Sequence, residues 1–373
     1  MRIKPISILI LCLSFSAQVS PGGTILQELS DGFDYRVNQL FYLTRQEPAD
    51  NSRNPGNSIF RIPRYEAAVE LRPDFSLFFK NFSLSAKPRL TWQWTSWKEG
   101  CCREETEKDW DLFVNEWLLR IQINDRLFGS YGRENLQWGP GWLFSPSNPF
   151  FRDNGRSNPK IETPGIDFAR LVYLPNTVWT LSLIGNLDKG RRVLEIDEKF
   201  NKTYALKLDF TGEETYAGLL LSQRESDISS LGGFGGWTFS DAMLLYTDFS
   251  ISETADKPDL PQFAVLAGAS YTLETGPTFA VEYAHQKNGP GFSRRNNVML
   301  QYSQNEILDI LNIVFRVTEN MDDDSAQSIL ILEYLSGEHT QMFINSTINF
   351  GAENKEFGGI LDFHIMAGLE YSF

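Results

Sequence analysis

Apolar and polar residues alternate along most of the chain. In 116–124, Trp117, Leu119, Ile121 and Ile123 face one way, and Glu116, Arg120, Gln122 and Asn124 face the other. The same period of two runs through 87–95, 178–186, 205–210, 279–283 and 298–303. That period belongs to a β-strand with one face in each of two environments. The apolar face is rich in aromatics, the polar face carries charge, and no helical pattern comes between the strands. Strands are expected at 30–45, 58–72, 82–97, 111–124, 127–137, 166–174, 177–187, 202–211, 214–223, 230–240, 242–252, 262–273, 277–287, 294–304, 311–318, 327–336, 339–350 and 358–373. The expected fold is all-β: an antiparallel transmembrane barrel of about 18 strands, 16 being the neighbouring even count.

Connector lengths support this reading. Joins after even-numbered strands are mostly tight, as at 124–126, 211–213, 240–241, 274–276 and 336–338. Joins after odd-numbered strands are mostly longer and more polar, as at 46–57, 98–109, 138–165 and 188–201. Bacterial outer-membrane barrels pair short periplasmic turns with longer outer loops in this way. Two joins fit less well: 72–81 is long for a periplasmic turn, and 304–310 suggests a helical turn. The last strand places Leu361, Phe363, Ile365, Ala367, Leu369, Tyr371 and Phe373 on one face. A terminal Phe373 after alternating apolar positions, with Tyr371 before it, resembles the signal read by the barrel-insertion machinery.

Composition narrows the setting. Residues 1–20 have the form of a secretory signal: Arg2 and Lys4 precede the apolar run Ile6–Phe15, and small residues follow. The expected domain division is therefore a signal at 1–20 and a single barrel at 21–373. No long uncharged apolar run offers a transmembrane helix. Strands begin so soon after the signal that an N-terminal plug domain is not expected. A net charge of −14 argues against a nucleic-acid partner. The expected partners are outer-membrane lipid and lipopolysaccharide, with polysaccharide as a further candidate. The expected location is the cell outer membrane. Cys101 and Cys102 are adjacent and cannot staple distant elements.

Catalytic chemistry finds little footing. His285, His339 and His364 are the three histidines, and none neighbours a nucleophile motif. No zinc spacing or phosphate loop is present, so neither a metal nor a cofactor is expected. The acidic runs 101–109 and 321–324 suit solvated outer loops. Charges of both signs fall on the inward face: Glu66, Glu70, Glu116, Asp209, Glu282, Glu333, Asp362 and Glu370, with Arg72, Lys87, Arg89, Arg120, Arg170, Lys207 and Arg316. A barrel this wide holds an aqueous interior unless it is plugged.

One stretch escapes the alternation. From Gly132 to about Gly165 the chain is crowded with aromatics and prolines, and structureless segments of such length are usually functional. Gly139, Pro140 and Gly141 suit a sharp turn. Trp138, Trp142, Phe144, Phe150 and Phe151 need burial that outer water cannot provide. The segment 138–165 is therefore expected to fold into the lumen. Arg133, Glu134, Trp138, Arg152, Arg156, Lys160 and Arg170 are the candidate residues of a solute path or constriction, with Asp153 and Glu162 as partners for the loop cations.

Gly132-Arg133 followed by Trp138-Gly139-Pro140-Gly141 resembles the GR…WGPG signature of outer-membrane capsule-assembly proteins of the Wzi type, which are eighteen-stranded barrels that hold capsular polysaccharide. Ser145-Pro146-Ser147-Asn148-Pro149-Phe150 is similar to an SPxNPF element of porin-like and alginate-export-like barrels. The resemblance covers about twenty residues of the chain. Two functions follow as expectations: an outer-membrane channel for polar or carbohydrate solutes, or a surface anchor or assembly protein for polysaccharide with an occluded lumen.

Overall fold

A strand with one apolar and one polar face is stable only where the two faces meet different surroundings, and closing a sheet on itself provides that. In the computed structural model the chain closes into an 18-stranded antiparallel barrel in which each strand pairs with its sequence neighbours. The structure describes residues 24–151, 156–191, 200–225, 228–253, 261–287 and 294–373. The signal at 1–20 lies outside these.

A short helix, α1 (Thr24–Asp31), precedes the first strand. The first six strands are β1 (Phe33–Pro48), β2 (Tyr65–Phe79), β3 (Phe82–Ser96), β4 (Thr106–Asn124), β5 (Leu127–Glu134) and β6 (Ile166–Tyr173). The next six are β7 (Trp179–Asp188), β8 (Thr203–Thr211), β9 (Thr215–Arg224), β10 (Ile228–Ser240), β11 (Met243–Ser252) and β12 (Gln262–Thr272). The last six are β13 (Thr278–Lys287), β14 (Asn296–Ile307), β15 (Leu311–Asn320), β16 (Ser325–Leu335), β17 (Thr340–Phe350) and β18 (Leu361–Ser372). Closure is made by β1 on β18, with Leu43 opposite Ala367. Beyond the last ladder residue, Phe373 exchanges both backbone hydrogen bonds with Val37, at 2.9 and 3.0 Å. A closed ring leaves no unpaired edge.

Burial follows the alternation. On β1, Leu40, Tyr42 and Thr44 point inward and are buried, while Phe41 and Leu43 are 45% and 53% exposed. Large exposed apolar side chains ring the barrel on this outward face, as lipid requires. Both ends of the barrel sequence lie at the rim with the short hairpins; the long connections leave from the opposite rim.

Besides shifts at strand ends, such as β4 starting at Thr106 rather than 111 and β5 ending at Glu134 rather than 137, the structure departs from the expected elements in three places. α1 was not expected. β2 runs over 65–79 rather than 58–72, so the awkward join 72–81 is mostly strand, and the hairpin is only Lys80-Asn81. The cause is a pair of prolines. The β2–β3 ladder skips Arg72–Asp74, beside Pro73 and Pro88, neither of which has an N–H to offer. Arg89 fills the gap by donating to the carbonyls of Pro73 (2.9 Å) and Pro88 (2.8 Å). The join 304–310 is also no helix: β14 continues to Ile307 through a bulge and turns at 308–310, with Glu306, Leu308 and Asp309 at positive φ.

Candidate functional site: an inward loop pinned to the barrel wall

The segment between β5 and β6 folds into the barrel, and its first turn shows why glycine is needed there. Gly139 adopts φ +87°, and a Cβ on it would lie 2.4 Å from both Asp248 Oδ2 and Ser145 Oγ. A Cβ on Gly141 would meet the Phe144 carbonyl oxygen at 2.5 Å and Leu266 at 2.9 Å. The turn is thus pressed against β11 and β12, with Pro140 between the two glycines.

A loop without a ladder must find acceptors for its N–H groups elsewhere. Two carboxylates on the inner wall supply them. Glu282 on β13 accepts from the backbone N–H of Trp142 (2.7 Å) and Leu143 (3.0 Å) and from the Tyr246 hydroxyl (2.7 Å). Asp248 on β11 accepts from the Ser145 hydroxyl (2.7 Å) and the Ser147 N–H (2.8 Å). Both carboxylates are fully buried. A buried charge is tolerated when several donors converge on it, and these hydrogen bonds are of the stronger, charge-assisted kind. Asn148 then accepts from the N–H groups of Phe150 (3.0 Å) and Phe151 (3.2 Å), turning both rings toward the wall. They pack with Ile166, Phe168, Ile184, Ala205 and Leu220 on β6 to β9, with Trp138 beside them. Phe150 meets Phe168 edge-on at 4.9 Å and Trp138 at 5.8 Å.

The second half of the loop is held on the other side of the barrel. Arg156 donates to the Gly141 carbonyl at 2.6 Å and lies over the Trp142 ring at 4.8 Å. Arg316 on β15 also lies over that ring, at 5.7 Å. Asn345 on β17 donates to the Ser157 carbonyl at 3.3 Å. The Lys160 ammonium is surrounded by Gln341 (2.6 Å), Glu370 (2.9 Å) and Glu333 (3.1 Å), from β16, β17 and β18. Arg72 on β2 donates to the Lys160 carbonyl at 2.8 Å. Glu162 takes a bidentate fork from Arg89 on β3, at 2.7 and 2.6 Å. Burial works against ionisation of Glu162, but the Arg89 fork outweighs it and holds the carboxyl below the usual glutamate range. The loop therefore touches β6 to β9, β11 to β13, β15 to β18 and β2 to β4 before rejoining the sheet at Ile166. It forms a collar against the inner wall.

The candidate residues divide into groups. Lys160, Arg156 and Trp138 lie in the collar. Glu134 and Arg170 form an inward ion pair at 3.0 Å between β5 and β6. Arg133 does not face the lumen. It stands opposite Trp117 on β4, on the outward face, and pairs with Asp167 at 2.7 Å. An alternating strand sends Arg133 and Glu134 to opposite sides, so both could not line one path. Arg152 and Asp153 lie outside the described residues. Glu162 serves Arg89 on the wall rather than a loop cation. Tyr371 and Phe373 are outward and exposed, at 39% and 54%. Asp248 was not anticipated. Its signal was a single charge in the otherwise apolar inward set Leu244, Tyr246 and Asp248 of β11.

No protein-family model matches the sequence, and no curated protein does. Solved structures do match. The chain is similar to OpdR (OccK11) of Pseudomonas aeruginosa at 10% identity and TM-score 0.63, over 92% of this chain and 96% of that one. It is similar to OprD of the same organism at 11% identity and TM-score 0.61, over 92% and 95%. It is similar to OpdK, solved with vanillate, at 11% identity and TM-score 0.64, over 92% and 99%. The chain has the fold of these outer-membrane barrels. The expected kinship with Wzi-type capsule-assembly and alginate-export-like barrels finds no support in these matches, and the polysaccharide-anchor reading gains none from them. The geometry accounts for the motif differently: Gly139 and Gly141 let this loop lie against Asp248 and Leu266 of the wall, where a Cβ would collide.

Proposed function

We propose that the chain is an outer-membrane channel for small polar solutes and that the collar 138–165 selects among them. The observation that carries this reading is the collar's attachment. Inward residues of β2, β3, β11, β13 and β16 to β18 hold its described part, so it narrows the lumen from the wall, as a constriction does. Width supports the same reading, since barrels of this strand number enclose water. Cations stand along the path: Arg156 in the collar, and Arg120 exposed on the inward face of β4. They favour anionic solutes, because a guanidinium is permanently charged and its planar fork matches a carboxylate. That OpdK was solved with vanillate, an aromatic carboxylate, makes small carboxylates the first class to test.

The test is solute flux into proteoliposomes carrying the purified barrel. Vanillate should enter faster than vanillyl alcohol, its neutral counterpart, and replacing Arg120 and Arg156 with Gln should remove the difference. Entry no faster than into empty liposomes would exclude a channel. Equal rates for the two solutes in the wild type would exclude selection by charge.

A further inference from the structure

Among the outward-facing cations of the described strands, Arg45, Lys108 and Lys287 stand exposed near the long loops, and the first two share one stretch of wall. Arg45 lies on the same face of β1 as Phe41 and Leu43, and Lys108 lies on the same face of β4 as Trp110 and Leu112. Both are exposed, and neither forms a hydrogen bond or ion pair among the described residues. Arg45 does lie over the ring of Phe363, at 5.4 Å. Both stand at the ends of their strands nearest the long loops. A lipid-facing charge costs about 2–4 kcal/mol at the bilayer midplane but about 0–1 at the interface, so these two mark the level of the outer headgroups.

The acids that could neutralise them are occupied or turned away. Glu47, two residues beyond Arg45 on the same face, is paired with Arg64. Glu107 and Asp109 flank Lys108 but point inward by alternation. By contrast, Arg133 on the neighbouring strand is already neutralised by Asp167. Between Arg45 and Lys108 the ladder places Tyr65 opposite Arg45 and Trp94 opposite Lys108. Below them lies an exposed apolar floor of Val69 (44%), Trp92 (44%) and Trp110 (56%). Three inter-strand spacings and a two-residue offset put the two cations about 16 Å apart along the wall.

We infer that this patch on β1 to β4 binds a lipid of the outer leaflet that carries two phosphates on one head group and several acyl chains, the lipid A part of lipopolysaccharide. Arg45 and Lys108 take the phosphates, and the aromatic floor takes the chains. Charge complementarity selects this occupant: two uncompensated cations on the β1 to β4 patch ask for two anionic groups at headgroup depth, and basic residues near a membrane surface are worth about 1 kcal/mol each. The inference rests on the barrel alone and is independent of what crosses the lumen.

The test uses the whole folded barrel in detergent micelles, titrated with diphosphoryl lipid A, with the same lipid after removal of both phosphates, and with phosphatidylglycerol. The wild type should prefer the diphosphoryl lipid over its dephosphorylated form by about tenfold or more. The double variant Arg45→Gln, Lys108→Gln should lose that preference while keeping wild-type heat-modifiable migration, since both side chains are exposed. Lys80→Gln, which removes a cation lying over Phe79 at the opposite rim, should keep it. An unchanged preference in the double variant would overturn the inference. So would phosphatidylglycerol binding as tightly as diphosphoryl lipid A.

Discussion

Glu282→Ala tests how the collar is held. The carboxylate accepts three donors: the N–H of Trp142, the N–H of Leu143 and the Tyr246 hydroxyl. Hydrogen bonds to a charged group are worth about 1.5–3 kcal/mol each. Their plain sum overstates the loss, because removing the carboxylate also removes a buried charge and lumen water can reach part of the gap. A net cost of about 3 kcal/mol to the docked loop is reasonable, which raises the fraction of undocked collar by roughly 100-fold. The barrel ladder itself is untouched, so the opening should be local. Chymotrypsin applied to the folded barrel in micelles reads this directly, because Trp142, Leu143 and Phe144 are cleavage sites that docking hides. Cleavage within 135–165 should accelerate by one to two orders of magnitude while heat-modifiable migration stays normal. Glu282→Gln keeps one acceptor oxygen and should fall between wild type and Glu282→Ala. Wild-type cleavage in both variants would refute the assignment of Glu282 as an anchor.

Other consequences follow from the same geometry. Gly139→Ala should displace the first turn, because the added methyl would lie 2.4 Å from Asp248 and Ser145 at a backbone angle that alanine resists; the same protease assay should show faster loop cleavage, and an unchanged rate would contradict it. The Arg89–Glu162 clamp has a defined pH range. A carboxyl held below the usual glutamate range stabilises the docked loop above that range, and the contribution is lost as pH falls through the lowered value. The difference in cleavage rate between wild type and Glu162→Gln should therefore hold steady from neutral pH to about pH 5 and shrink only below the usual glutamate range; a difference that shrinks above pH 5 would contradict it. Deleting Phe373 removes two backbone hydrogen bonds to Val37 and an outward ring packed beside Tyr371 at 5.8 Å. Surface abundance of the folded barrel should drop, and normal abundance would argue against a role for this residue in closure.

Much of the architecture was legible because a lipid-facing strand has little freedom. Outward positions at hydrocarbon depth are mostly apolar and most polar side chains turn inward, so alternation marks strand after strand and connector length marks the two rims. The expected and observed boundaries part where backbone chemistry overrides side-chain pattern. Pro73 and Pro88 interrupt the ladder without ending the strands, because Arg89 satisfies the carbonyls they leave. The site was legible in outline. The aromatics of 138–151 could not be buried in outer water, and they are buried inside. Its partners were less legible, because a loop that circles the wall meets residues far away in sequence. Lys160 finds Glu333 and Glu370 rather than Glu162. Arg133 was misplaced for a simpler reason: it stands next to Glu134, and neighbours on a strand face opposite ways.

The central claim, a water-filled channel narrowed by a docked collar, is tested most directly by electrical recording in a planar bilayer. The wild-type barrel should insert with discrete, uniform conductance steps. A variant lacking residues 147–160 should insert with distinctly larger steps, because most of the loop's mass inside the barrel is gone, including the rings of Phe150 and Phe151 on β6 to β9 and the contacts to β15 to β18 and β2. Equal steps from the two proteins, or no conductance from either, would contradict the account.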